Sequence, residues 1–298
     1  MMDINNVTIV GGTHGNELSG IYVVKYLQSQ PQILEKYDLD IQFLLANEQA
    51  IKKNVRYVDQ DLNRQFSLEL LSQSIQNIEA NRARQINQLI GTQAKQQTDF
   101  IIDLHTTTTN MGLTLVINQD SVFHRKLVAY IQQELPEVNI FFEPTEQTED
   151  NFLLSIAKYS GLLIEVGPIA QGTLKQEVYE QTLSAVFACL KFIKLYKEDI
   201  QIPLPKSVCA YQFIQKIPFM LNEQNEIVGM IHQDFDSQDY QPLEQGDPIF
   251  KTLDGQDICF ENNYDQIGML TACFINEAAY YDKKDAFSLM KKIELEIS

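Results

Sequence analysis

The segment GGTHGNE, residues 11–17, places an imidazole, His14, three positions ahead of a carboxylate, Glu17. If the turn between them is helical, both groups lie on one side and can reach a single ion. An imidazole nitrogen plus a carboxylate oxygen suits Zn²⁺, and two histidines with one glutamate leave a fourth position open for water. HxxE is common, and its bland alternative is a helix-start histidine in a solvated turn with Glu17 near the helix dipole. The apolar run FIIDLH ends abruptly in Asp103 and His105. These alternate onto one face at a strand end, where open α/β sheets place their sites. Burying both without a task is expensive. His105 is therefore the candidate third ligand, and Asp103 a candidate acceptor orienting one imidazole; a buried bond to loop backbone is the alternative for Asp103. LLIEVGP is a further apolar run, carrying Glu165 at its C-terminal end. Desolvation there raises a carboxyl toward the range of a general base unless a cation holds it down, an edge-strand charge or salt bridge being the alternative. RYVDQDLNRQF adds Arg56, Asn63 and Arg64, and arginine offers bidentate geometry to carboxylates. Surface pairing with the chain's many acids is the competing explanation. His124 and His232 lack ligand spacing and read as structural.

Elements must position these residues. The first two-thirds alternates strand-like and helix-like segments, the pattern of an α/β domain with a largely parallel sheet. VTIV at Val7 to Val10 runs into Gly11 and Gly12, and Leu18 to Gln28 shows helical spacing of Leu18, Ile21, Tyr22, Val24 and Leu27. Further strand candidates start at Ile41, Phe100, Leu113, Asn139 and Leu162. Thr173 with Gln176 forms a capping-box signature ahead of a long helical run. Pro203 and Pro205 break regular structure, which puts a domain boundary near residue 201. Beyond it, turn-prone pieces separate the short β-like runs EIVGMI, PIFKTL and DICF, so residues 202–298 are expected to form a small β-rich domain after a domain of residues 1–201.

Of the 298 residues, 44% are hydrophobic and 21% charged, which excludes collagen-like, low-complexity and wholly disordered chains. No stretch approaches the ~20 apolar residues of a membrane span, and the start shows no signal-peptide pattern. With 23 basic against 40 acidic residues the net charge is −17, a sign that repels nucleic acid and anionic lipid surfaces. An anionic substrate then needs a local basic cluster. Cys189, Cys209, Cys259 and Cys273 show no CxxC spacing and are expected to be buried thiols in a reducing cytoplasm.

GGTHGNE, DLNR, DLH with the TTTTNMG stretch, IEVGP followed by Gln171–Gly172, and NEAAYY with two lysines behind it occur in this order along nearly the whole chain. Together they resemble the aspartoacylase family, a branch of the zinc carboxypeptidase-like amidohydrolases that includes the succinylglutamate desuccinylases. The resemblance implies a mostly parallel sheet flanked by helices, with a smaller β-rich C-terminal domain partly covering the site. It implies one Zn²⁺ held by His14, Glu17 and His105, and Glu165 as the catalytic carboxylate. Arg56 then polarises the scissile carbonyl, Asn63 and Arg64 hold the α-carboxylate, and Tyr280 closes over it. Lys284 falls where the family has a lysine near the substrate's side-chain carboxylate. A homodimer or higher homo-oligomer is implied too. The expected reaction is hydrolysis of an N-acyl-L-amino acid, with N-acetyl-L-aspartate as the first expectation. One departure bears on substrate. Where aspartoacylases carry an arginine just ahead of SIAKY, this chain has Leu154. A desuccinylase, an acylase for apolar amino acids, and a catalytically silent metal- or amino-acid-binding protein therefore stand as alternatives.

Overall fold

Short β-branched runs flanked by glycine become strands buried on both faces when helices cover a parallel sheet. The computed structural model, which describes residues 2–74, 76–143, 152–264 and 268–297, has this arrangement in its first two-thirds. Strands β1 (Asn6–Gly11), β2 (Asp40–Leu45), β3 (Phe100–Thr106), β4 (Gly112–Ile117), β5 (Asn139–Phe142) and β6 (Gly161–Gly167) lie among the candidates above. Three more, β7 (Ser207–Pro218), β11 (Leu270–Cys273) and β12 (Asp285–Glu296), extend the same sheet. Its order is β11-β12-β7-β5-β4-β6-β3-β1-β2. The pairs β1–β2, β1–β3, β3–β6, β4–β5 and β5–β7 are parallel, whereas β4–β6 and the C-terminal β7–β12–β11 run antiparallel. A second sheet has β8 (Gly229–Ile231), β9 (Pro248–Thr252) and β10 (Asp257–Cys259), in the order β10-β9-β8. Mostly parallel sheet with flanking helices and a β-rich C-terminal part is thus the architecture, with residues 201–205 carrying no regular element between the two parts.

Helices α1 (Leu18–Ser29), α5 (Val122–Glu134) and α6 (Gln176–Lys197) cover one face, and their apolar sides share the largest core with β1, β3, β4 and β6. α1 reaches β3 closely because Gly20 has no side chain. A Cβ there would sit 2.7 Å from the Leu104 carbonyl oxygen. The other face is covered only in part. α4 (Ile78–Ile90), joined by α3 (Leu68–Ser72), packs over Val10 and Ile101. Over β6, β4, β5 and β7 that face is left to a cavity, closed from above by the Leu153–Ile156 turn and by the segment holding Phe274 and Tyr280. α2 (Glu48–Lys53) is capped by Asn47, whose side chain accepts the Ala50 N–H.

Three local expectations need correction, the last being that all four cysteines are buried. Thr173 and Gln176 form no capping box: the Thr173 hydroxyl donates to the Ala170 carbonyl at 2.6 Å, and α6 starts at Gln176 without a side-chain cap. Tyr22 is 45% exposed and leaves the buried side of α1 to Ile21, Val23, Val24 and Leu27. Of the cysteines, Cys189 and Cys273 are buried, Cys209 is half-buried, and Cys259 is exposed on β10, the edge strand of the small sheet. No helix among the described residues is long and apolar enough to cross a membrane.

Candidate metal centre and active site

β1 ends at Gly11, and the chain turns through residues 12–17 before α1 begins. In that turn the Glu17 N–H donates to the His14 carbonyl at 3.3 Å, which folds the two side chains toward each other. Gly15 makes the turn possible, since a Cβ there would fall 2.1 Å from the Ala50 carbonyl carbon. The Gly15 N–H also donates to the Arg56 carbonyl at 3.1 Å, fixing Arg56 beside the turn. His105 arrives on β3, which pairs with both β1 and β6.

These three side chains converge. His14 Nδ1 lies 2.7 Å from Glu17 Oε1, His105 Nδ1 lies 3.0 Å from Glu17 Oε2, and the two Nδ1 atoms are 3.2 Å apart. Ligands ~2.0–2.1 Å from a tetrahedral ion stand about 3.3 Å from one another, so the spacing fits one ion with little adjustment. All three residues are buried. Each imidazole turns its other nitrogen to a carboxylate: His105 Nε2 to Asp103 Oδ2 at 2.8 Å and His14 Nε2 to Asp61 Oδ1 at 3.0 Å. With the proton on Nε2, each Nδ1 is the nitrogen turned toward the shared point beside Glu17, the arrangement of metal-ligating histidines. The donor set of two nitrogens and one carboxylate fits Zn²⁺. Asp103 is itself held by the Thr13 hydroxyl at 2.7 Å.

Asp61 is a site residue that reading the sequence missed. Besides His14, it accepts the Asn63 N–H at 2.9 Å and Arg56 Nη2 at 3.1 Å. Its place two residues ahead of Asn63 in DLNR was visible, and a ligand histidine calls for such an acceptor. Arg56 completes the link through Nη1, 3.2 Å from Glu17 Oε1.

Glu165 sits on β6 directly across from His105 in the parallel register, so both side chains face the cavity. Burial pushes its carboxyl well above the usual range, with Glu17 and Glu277 adding to the effect and His105 and Arg56 opposing it. Asn63, Arg64 and Tyr280 also line the cavity. Asn63 is fixed by accepting the Leu153 N–H at 2.8 Å, and the Arg64 guanidinium stands 5.0 Å from the Phe152 ring centre. The cavity is also lined by the apolar Leu163, Val116, Phe141, Phe213, Phe274 and Leu154 and by the polar Asn118, Glu143 and Ser288. Lys284 is not among the lining residues: its ammonium donates to the Asn225 carbonyl. The lysine that reaches the cavity is Lys216 on β7, 5.2 Å above the Tyr280 ring centre and 3.4 Å from Asp285. It lies on a strand that showed no marked chemistry in the sequence. His124 is buried in α5 against Ser121 and has its pKa lowered by burial to about 4, and His232 stands near Asp234 and Asp257; neither joins the centre.

The chain matches the succinylglutamate desuccinylase/aspartoacylase catalytic domain over residues 3–193 and the AstE/AspA barrel-sandwich hybrid domain over residues 206–292. A protein of Trichodesmium erythraeum (strain IMS101) named "Probable aspartoacylase" is 39% identical over all of both chains. The N-acyl-aromatic-L-amino acid amidohydrolase (carboxylate-forming) of Xenopus tropicalis is 37% identical over 97% of this chain and 93% of its own. Murine aminoacylase 3 superimposes with a TM-score of 0.91 and 32% identity, covering 100% of this chain and 98% of that one. The convergent site, the sheet that carries it and these matches over both parts of the chain agree: the protein belongs to the succinylglutamate desuccinylase/aspartoacylase family.

Proposed function

We propose that this protein is a zinc-dependent amidohydrolase that cleaves N-acyl-L-amino acids to a carboxylate and a free amino acid. The observation that carries the reading is the meeting of His14, Glu17 and His105 with Glu165 one strand away, in the wall of a cavity also lined by Arg56 and Arg64. Bound at the three ligands, Zn²⁺ supplies Lewis-acid polarisation of the amide carbonyl and a lowered pKa for water. Glu165 takes the proton of the attacking water and returns it to the leaving amine, a task suited to a carboxyl whose pKa burial has raised. Arg56, held in place by Asp61, sets its charge where the tetrahedral oxyanion develops. Asn63, Arg64 and Tyr280 hold the α-carboxylate and orient the amide.

We rank an apolar or aromatic N-acyl amino acid ahead of N-acetyl-L-aspartate, the first expectation from the sequence. Leu154, Leu163, Phe141 and Phe213 favour an apolar or aromatic side chain, since a carboxylate set among them loses hydration without a guanidinium to replace it. An aspartyl substrate remains the second reading, favoured by Lys216. Metal-quantified protein assayed on N-acetylphenylalanine, N-acetylaspartate, N-acetylglutamate and N-succinylglutamate separates the two. The first reading predicts the highest kcat/KM for N-acetylphenylalanine, and the second predicts N-acetylaspartate. No turnover of any of the four by zinc-loaded protein refutes the function.

A further inference from the structure

The cavity holds a polar group that the chemistry above leaves unused. Asn118 is buried, lines the cavity and directly follows β4. The Ser160 hydroxyl donates to its Oδ1 at 3.0 Å, and its NH₂ has no protein partner among the described residues. In a closed cavity an amide N–H without an acceptor is costly, and a substrate atom can supply one. Glu143 stands beside it. The Glu143 N–H donates to the Ile117 carbonyl at 2.9 Å, which carries the β4–β5 pairing one residue further, and Glu143 also lines the cavity. Strand register sets the depth of this pair. Thr114 lies opposite Glu165, and Val116 lies opposite both Leu163 and Phe141. Because alternate residues share a face, one row of apolar side chains separates the proposed base from Asn118 and Glu143. Successive residues on a strand face stand about 7 Å apart, so that row spans roughly one aromatic ring. An atom attached to the far end of the ring falls at the row of Asn118.

We propose that Asn118 is a specificity-determining residue whose amide donates to a phenolic oxygen at the far end of the substrate side chain, so that the site prefers an N-acyl-tyrosine to an N-acyl-phenylalanine. This rests on the reading above, in which the amino-acid side chain lies among Leu163, Phe141 and Phe213. A phenol suits the pair: its oxygen accepts from Asn118 while its hydrogen goes to the Glu143 carboxylate. A side chain ending in a carboxylate also accepts, but it meets the like charge of Glu143. A lysine ammonium is drawn to Glu143 and offers Asn118 no lone pair. A bare phenyl group fills the apolar row and leaves the amide unmatched.

The test compares kcat/KM of zinc-loaded, full-length protein on N-acetyl-L-tyrosine, N-acetyl-L-phenylalanine and N-acetyl-4-methyl-L-phenylalanine, in which a methyl group takes the place of the hydroxyl. The proposal predicts that wild type favours the tyrosine substrate about tenfold over both others, the effect of one hydrogen bond to a group otherwise left unmatched. In Asn118→Leu that ratio is expected to fall to one or below. A purely structural role for Asn118 lowers all three rates together and leaves the ratio intact, which would overturn the proposal. Equal rates for the tyrosine and methyl substrates in wild type would overturn it too, because shape then accounts for the preference. That wild-type comparison decides the matter even where the variant does not fold. If none of the three is hydrolysed the assigned function fails, and their dissociation constants still decide the role of Asn118. Tighter binding of the tyrosine compound to wild type, lost in Asn118→Leu, supports the role, whereas equal constants for the tyrosine and phenylalanine compounds refute it.

Discussion

Each imidazole turns Nδ1 toward the proposed metal position and Nε2 toward a carboxylate, and the two carboxylates differ in what else they do. Asp103 is buried in β3 and held by Thr13, so it serves His105 alone. Asp61 binds His14 and Arg56 together, which makes it the link between the metal ligands and the charge proposed to face the oxyanion. Asp61→Asn is expected to weaken zinc about 10–100-fold, the usual cost of losing such a partner, measured by competition with a chelator. An unchanged affinity would show that His14 needs no orienting group. Glu165→Gln is expected to keep one zinc per chain while turnover falls by about 10²–10⁴-fold, since proton transfer is lost but the ligands remain. Metal analysis beside a steady-state assay checks both halves. At this scale much was legible in the sequence. Metal-type residues at strand ends stand out because an apolar run that stops in Asp, His or Glu buries groups that are costly without a partner. Asp61 was overlooked although Asn63 and Arg56 are close to it in sequence, because its contact with His14 spans 47 residues, and Lys216 lies on a strand with no marked chemistry.

Elements decide which of those side chains meet. The parallel strands were legible as short β-branched runs between turns and helices, and β1, β3 and β6 deliver Gly11, His105 and Glu165 to one end of the sheet. The strands β7 and β12 were not. DAFSLMKKIELE is rich in residues that favour helices, and its long antiparallel pairing with β7 overrides that preference. Lys216 belongs to β7, so missing the strand meant missing the cavity's lysine. The loop after β3 is held by Asp239, whose carboxyl burial raises to about 7, against the pull of the Ile275 and Asn110 N–H groups. A folded-state pKa above the unfolded value of about 3.9 stabilises the fold fully at low pH, and that contribution is lost as pH rises toward 7. The stability of wild type relative to Asp239→Asn is therefore expected to fall between pH 4 and 7 and to level off above it, in urea titrations at each pH. A difference that stays flat with pH would contradict the shift.

Across the whole molecule, a chain with a net charge of −17 brings three cations, Arg56, Arg64 and Lys216, to the cavity proposed to take an anionic substrate. Both parts of the chain build that cavity, since Lys216, Phe274 and Tyr280 come from beyond the linker. The same cavity gathers the buried acids Glu17, Glu165 and Glu277. Their mutual repulsion is eased by a divalent cation, so binding and stability are linked. At zinc 1,000 times above its dissociation constant, linkage adds about 4 kcal/mol to the folded state. Thermal unfolding should therefore move several degrees upward on adding zinc to chelator-treated protein, and His105→Ala should abolish the shift. The most direct measurement is anomalous scattering at the zinc edge from crystals of the metal-loaded protein. One strong peak within bonding distance of His14 Nδ1, the Glu17 carboxylate and His105 Nδ1 is the result expected. No peak there, or an ion held by other side chains, would contradict the account.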